Sequence, residues 1–251
     1  MKGKVLVFFI LIGTFVAGSP AISQQTAKER RAEMGRLIAK HFGVIENSAN
    51  MQYDQLEAEN EKLKETLERF RVELIRGKDS FRYKGLYLAH STDNKLCIAS
   101  WDTKLGGTMV DFTTMAIHRT ASGQVKSRVI VDSTDDNVGN TLMHYDKIYS
   151  VKTGNKTLYL CHGFGQGSSS LAWQELWAYT IVKNELVNAE IFPGEKANLF
   201  IEFDTQKSKG KTVPPIQLME NGQRLSYPIA DEKGGYSGKM GMLILRDGVY
   251  N

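Results

Sequence analysis

Four aromatic side chains in the predicted β-region are the residues best suited to contact a ligand. Trp173, Trp177 and Tyr179 share one parity along a predicted strand, so they project from the same face of a sheet. Trp101 lies in a second predicted strand. On an exposed face, flat aromatic rings beside polar groups suit sugar rings or a peptide. On a buried face, which is where most large aromatic residues lie, the same rings form the core of the β-region.

Histidines and acids form no pattern typical of a metal site. The chain has five histidines, His41, His90, His118, His144 and His162. No two of them have the spacing of ligands on one turn of a helix or strand. The acidic turn at residues 132–137 offers oxygen ligands for calcium, but it lacks the alternating Asp-x-Asp-x-Asp-Gly arrangement. We therefore predict no metal and no other cofactor.

Signatures of phosphate binding and of catalysis are also missing. The glycine-rich segment 163–170 has no Gly-Lys-Ser/Thr and precedes a predicted strand, whereas a phosphate loop leads into a helix. The same segment has no Gly-x-Ser-x-Gly elbow, so we predict a hairpin connection. A non-enzymatic protein is the favoured prediction. The alternative is a hydrolase in which residues such as Asp102 and His162 converge only after folding.

The two cysteines, Cys97 and Cys161, each lie inside a predicted strand. In an exported protein they could form one disulfide across a long loop, which would contribute about 3 to 4 kcal/mol. The alternative is two buried free thiols that pack as small apolar side chains. Both alternatives stay open, because the sequence does not place two strands side by side.

Residues 1–23 have the pattern of a cleavable secretory signal peptide. Two lysines precede an uncharged apolar stretch at residues 5–17, and small side chains follow at Ala21 and Ser23. The apolar stretch is shorter than the roughly 20 residues that a helix needs to cross a bilayer. We therefore expect the mature chain to have no membrane span and to work outside the cytoplasm, in the periplasm or as a secreted protein.

The charge of the expected mature chain gives no support to a nucleic-acid partner. Removal of residues 1–23 takes away two lysines and no acid, so the formal net charge falls from +4 to +2. A charge that is small and of mixed sign gives no electrostatic case for nucleic acid or for an anionic membrane surface.

The segment 24–78 is predicted to be helical, with helices from Ala27 to Phe42 and from Met51 to Arg76. Residues spaced alternately by three and four along the second helix form a heptad seam. The seam contains Tyr53, Leu56, Asn60, Leu63, Leu67, Phe70 and Leu74. It could join copies of the chain as a coiled coil, with Asn60 fixing the register, or it could pack against the same chain. Both alternatives stay open.

The segment 79–251 is predicted to be a mainly antiparallel β-domain, which makes the fold class α+β. Short apolar or alternating runs are separated by turn residues such as Ser122-Gly123 and Asn221-Gly222. Roughly ten closely spaced strands favour a sandwich or a barrel. A propeller-like arrangement is the alternative, because apolar strand centres recur at intervals of about forty residues.

These patterns predict an exported binding or envelope-interaction module, presented on a helical spacer. The expected partners are a glycan or an envelope protein, and the helical seam offers a route to a homo-oligomer. The alternative is an extracytoplasmic hydrolase of glycans or esters. A pocket in the folded β-domain, lined by acids or a histidine, would favour the hydrolase.

Overall fold

The computed structural model describes residues 26–77, 83–107, 109–132, 134 and 142–251, so the predicted signal peptide lies outside the described residues. The described chain begins with three helices, α1 (Ala27–Glu46), α2 (Tyr53–Arg69) and α3 (Arg71–Arg76), with a 3-10 turn at Ser48–Asn50. A capping box starts α1, because the Thr26 hydroxyl accepts from the Glu29 amide while the Glu29 carboxylate accepts from the Thr26 amide.

Ion pairs join α1 and α2 as an antiparallel hairpin. Glu33, early in α1, meets Arg69 at the end of α2 at 2.7 Å. Later in α1, His41 Nδ1 lies 2.7 Å from Glu59 Oε1, and both side chains are buried. Burial acts to raise the pKa of Glu59, but hydrogen bonds from His41 and Lys62 outweigh it and hold the pKa below its ordinary value. The Glu59 carboxylate is therefore suited to stay charged inside the helical layer.

The first sheet is an antiparallel meander with both faces covered. It contains, in this order, β1 (Leu86–His90), β2 (Leu96–Asp102), β3 (Phe112–Arg119) and β4 (Val125–Val131). Its two middle strands are buried along nearly their whole length. A strand that is covered on both faces is expected to contain a continuous run of apolar residues. Residues 96–99 form such a run.

The apolar stripe of the predicted seam packs against this sheet. Its buried members are Leu56, Leu63, Leu67, Phe70 and Leu74, and all of them share one hydrophobic cluster with β2 and β3. Asn60 is buried as well; its Nδ2 donates to the carbonyl oxygens of Leu56 and Thr103, and its Oδ1 accepts from Trp101 Nε1 at 3.1 Å. Only Tyr53 stands largely exposed, at 59%. In this structure the hydrogen bonds of Asn60 therefore hold α2 against the first sheet of the same chain.

The second sheet holds the longest strands. It contains β5 (Met143–Thr153), β6 (Lys156–Gln166), β7 (Leu171–Val182), β8 (Glu185–Asn188) and β9 (Asn198–Asp204). β7 has two partners on one edge, because residues 171–177 pair with β9 and residues 179–182 pair with β8. The glycine-rich segment 163–170 lies in the β6–β7 hairpin, as the sequence predicts.

The third sheet ends the chain. It contains β10 (Gln217–Met219), β11 (Arg224–Ala230), β12 (Tyr236–Arg246) and β13 (Val249–Tyr250), again in sequence order and antiparallel. Its inner side chains, Leu225, Leu243 and Leu245, share a cluster with Leu160 and Leu176 of the second sheet.

The layers stack in chain order. One cluster joins the helices to the first sheet, a second joins the first and second sheets, and a third joins the second and third sheets. Among the described residues no cluster contains side chains from both the first and the third sheet. The described strands form three open sheets and no closed barrel, so the barrel expectation is wrong. Propeller blades are themselves open antiparallel sheets, so the propeller-like alternative stays a prediction.

A helical segment followed by mostly antiparallel β-sheet is confirmed as the coarse architecture. Within the described ranges, no helix combines the length and the apolar character needed to cross a membrane.

Both cysteines are free and buried. Cys97 lies in the cluster between the helices and the first sheet, whereas Cys161 lies in the cluster on the other side of that sheet. The disulfide considered from the sequence is therefore not formed in this structure, and the two thiols fill apolar space. Burial raises the pKa of the Cys97 thiol to about 12 and raises the pKa of Cys161 well above its usual value.

We expect native protein produced under oxidising conditions to keep both thiols free and unreactive, because burial excludes the reagent and disfavours the thiolate. Iodoacetamide should label neither Cys97 nor Cys161 before unfolding and both after unfolding in urea, as read by mass spectrometry. A peptide pair linked through both cysteines in the non-reduced digest would contradict this placement.

Candidate functional site

A bulge in β5 pairs a partly exposed carboxylate with a buried histidine on the second sheet. β5 and β6 pair regularly except between Tyr145 and Lys147, where the register shifts by one residue. The extra residue is Asp146, and its Oδ1 lies 3.0 Å from His162 Nδ1 on β6. Bulges re-aim side chains that a regular strand would direct elsewhere. Here the bulge places a carboxylate beside an imidazole.

His162 is held on both ring nitrogens. Its Nε2 lies 3.3 Å from Gln174 Oε1, and only 3% of its side chain is exposed. The orientation of the Gln174 amide is fixed, because Oε1 accepts from the Ile216 amide at 2.7 Å and Nε2 donates to the Pro214 carbonyl at 2.9 Å. Both nitrogens of His162 therefore lie within hydrogen-bond distance of a side-chain oxygen.

An open cleft of about 480 Å³ lies over this pair, between the second sheet and the segment that leads into β10. Its lining combines Asp146, Lys147 and His162 with the aromatic rings of Tyr149 and Phe164, and with residues 215–218 on the opposite wall. A few polar groups converging on an otherwise apolar concave surface are typical of a ligand site.

Aromatic contacts fix the walls of the cleft. The Lys147 ammonium lies 4.4 Å from the centre of the Tyr149 ring, within the range of a cation–π contact. The Phe164 ring meets the His162 ring edge to face, with centroids 4.6 Å apart. Phe164 keeps 37% of its surface exposed, so part of its side chain is accessible to a ligand.

The aromatic set singled out from the sequence lies elsewhere. Trp101 is 1% exposed and bonded to Asn60, while Trp173 and Tyr179 are 5% and 4% exposed in the cluster between the first two sheets. Trp177 is partly buried against the same cluster. The structure thus places these four residues in or against the core, as expected if their face of the sheet is buried. None of them lines the cleft at Asp146.

The remaining histidines are dispersed. His41 pairs with Glu59, His90 Nε2 contacts the Leu74 carbonyl and His118 Nε2 contacts the Asn184 carbonyl. His144 stacks on Tyr87 with centroids 3.8 Å apart, and burial lowers its pKa. In the described part of the chain no group of three His, Cys, Asp or Glu side chains is arranged to hold a metal. Residues 133 and 135–137 of the acidic turn lie outside that part.

Asp102 and His162, named for the hydrolase alternative, have different partners. Asp102 pairs with Lys104 at 2.6 Å, and His162 pairs with Asp146. No sequence pattern pointed to Asp146, Lys147, Tyr149 or Phe164 as site residues. The only local signal was the run of polar and aromatic residues at 144–149. This run has the pattern of an ordinary strand, although it contains one residue more than its partner strand.

Comparison of the chain with protein-family models, with curated proteins and with solved structures found no match.

Proposed function

We propose that this protein is an exported, non-enzymatic binding protein that holds a saccharide in the cleft over Asp146 and His162. The bulge in β5 carries this proposal, because it places one carboxylate in the lining of a cleft that also contains the rings of Tyr149 and Phe164. Export rests on the pattern of residues 1–23. The three sheets form a sandwich-like stack in this proposal, and the helical segment covers one side of the stack instead of forming a coiled coil.

The chemistry of the cleft fits a neutral polyol with an apolar face. Asp146 Oδ1 contacts His162, while 40% of the side chain is exposed and Oδ2 forms no hydrogen bond with the described residues, so it is available to sugar hydroxyls. The Lys147 ammonium supplies donors beside that acceptor. The accessible part of the Phe164 side chain suits the C–H face of a sugar ring. A volume of about 480 Å³ accommodates about two sugar rings.

The hydrolase alternative has less support from this geometry. A general base needs a nitrogen that faces the reacting group, but Nε2 of His162 faces Gln174, which the Ile216 amide and the Pro214 carbonyl hold in place. The residues that line the cleft include no Ser, Thr or Cys nucleophile, and Asp146 is the only acid among them. A glycosidase needs two carboxyl groups on either side of the bond that is cleaved.

Titration with soluble oligosaccharides of two to six residues tests the proposal by amide chemical shifts in two-dimensional NMR. We expect one class of saccharide to shift amides of residues 145–149, 162–164 and 215–218, without being cleaved. Asp146→Asn and Phe164→Ala should each weaken binding at least about tenfold, because a charge-assisted hydrogen bond or a ring contact is lost.

Tyr53→Ala is the matched control, since it removes an aromatic ring that is 59% exposed on α2 and far along the chain from the cleft. It should leave the saccharide affinity unchanged. Saccharides that shift no cleft amide, or that bind Asp146→Asn as tightly as the wild type, would argue against the proposed site. Release of shorter sugars during the titration would instead favour the hydrolase.

A further inference from the structure

A second cavity, of about 190 Å³, lies between the first and second sheets and is lined by basic and hydroxyl side chains. Lys95 comes from the turn before β2, Arg119 and Thr120 from the end of β3, Lys156 from the start of β6 and Thr180 from the end of β7. Backbone pairing fixes two of these cations next to one another, because the Arg119 amide donates to the Lys95 carbonyl at 2.8 Å. Two separate sheets thus supply three cations to one small space.

None of the three cations takes part in an ion pair with any described residue. Arg119 Nη1 donates only to the Gly123 carbonyl, at 3.2 Å. The nearby carboxylate is that of Asp93, which does not line the cavity and accepts from the Tyr159 hydroxyl at 2.9 Å. The residues that line the cavity include three positive side chains and no acid, so the lining carries an excess of positive charge, which the walls of a cleft concentrate.

We propose that this cavity binds an oxyanion of the phosphate or sulfate class. A guanidinium presents paired donors that match two oxygens of such a group, and lysines add compact charges beside it. Thr120 and Thr180 line the same space, but the Thr180 hydroxyl already donates to the Thr157 carbonyl at 3.1 Å and the Thr120 hydroxyl is paired with that of Ser122 at 2.9 Å, so the cations are the donors on which the site rests. The volume fits one such group with its remaining water. The site is independent of the saccharide cleft, which opens on the opposite face of the second sheet.

Titration of the full mature chain with inorganic phosphate, followed by amide NMR and calorimetry at low ionic strength, tests this site. We expect a dissociation constant of the order of 1 mM and shifts centred on residues 95, 119–121 and 155–157. Lys95→Ala combined with Lys156→Ala should weaken phosphate binding at least tenfold. Arg119→Lys should weaken it as well, because the charge stays but the paired donors are lost. Asp93→Asn should strengthen it.

Lys28→Ala combined with Lys40→Ala is the matched control, because both lysines are exposed on α1 and the change in net charge is the same. Phosphate affinity should be unaltered in this control and in Asp146→Asn, which separates the two sites. Equal loss in both double-lysine variants, or shifts spread over lysines in general, would overturn the proposal in favour of non-specific attraction.

Vesicles identify the source of the oxyanion. The protein is mixed with vesicles of phosphatidylglycerol or of phosphatidylcholine and sedimented. Co-sedimentation with phosphatidylglycerol vesicles alone, abolished by Lys95→Ala combined with Lys156→Ala, would assign the site to a lipid headgroup. Phosphate binding without vesicle binding would assign it to a soluble phosphorylated or sulfated ligand. A chain that binds neither phosphate nor sulfate at the cavity contradicts the inference whatever the saccharide experiment shows.

Discussion

Replacement of both Leu63 and Leu67 by lysine is expected to leave the chain largely unfolded in water at 25 °C. Both leucines are 0% exposed in the cluster between the helices and the first sheet. Truncation of one buried leucine to alanine costs about 2 to 5 kcal/mol, and a buried ammonium without a partner adds to that cost. Two such changes are comparable to the whole stability of a typical domain, about 5 to 15 kcal/mol. Circular dichroism and urea unfolding measure the loss.

Gln55→Lys combined with Ala58→Lys is the matched control on the same helix. Both positions are exposed, and the added charge is identical. The free energy of unfolding should stay within about 1 kcal/mol of the wild type. If sedimentation equilibrium instead showed a wild-type dimer, and the Leu63 and Leu67 variant a folded monomer, the stripe would serve assembly, and the intramolecular packing would be the wrong description of its role in solution.

The substitution Gly165→Ala is expected to lower the free energy of unfolding by about 3 kcal/mol or more. This loss lies at the upper end of the range that overpacking of a core produces. A Cβ at this position would lie 2.1 Å from Trp173 Cε2 and 2.2 Å from its Nε1. The Trp173 ring is 5% exposed and lies in a cluster, so it has little room to withdraw. Urea unfolding of the purified variant gives the size of the effect.

A double-mutant cycle separates this clash from any effect on the unfolded chain. Gly165→Ala in a Trp173→Leu background should cost much less than in the wild type, because the ring that the new methyl meets is gone. Gly43→Ala is the control, since a Cβ there has nothing within 4 Å, and it should stabilise α1 by about 0.5 to 1 kcal/mol. A Gly165→Ala protein as stable as the wild type would contradict the close packing of Trp173 on β6.

Much of the element order was predictable because apolar periodicity and turn residues mark it directly. Apolar and alternating residues between turn residues predict strands at 125–131 and at 171–182, and β4 and β7 have these bounds. β11 was not predicted: Leu225, Tyr227 and Ile229 alternate along it, but Pro228 is unexpected inside a strand. Neither a glycine nor a proline marks the break at Phe70, between α2 and α3. The backbone angles of Phe70, φ −101° and ψ 19°, are set by tertiary packing.

The site was largely hidden for a different reason. Strand periodicity predicts which residues share a face only while the pairing is regular, and the bulge at Asp146 shifts that register. His162 was named from its residue type, but its partners come from β5 and β7, and the segment before β10 holds one of those partners, Gln174, in place. The stripe on α2 was visible in the sequence, but what covers it was not, since a heptad seam and a helix packed on a sheet share the same spacing.

The stacking of the layers in chain order has a consequence for the order in which the fold can assemble. Each layer packs on the one that precedes it in the sequence, so a chain that emerges amino terminus first meets a finished surface at every step, much as neighbouring units do in a repeat protein. The third sheet closes the series and supplies one wall of the cleft at Asp146, whereas none of its residues lines the cavity at Arg119. Detachment of that last layer would therefore dismantle the saccharide cleft and spare the oxyanion cavity.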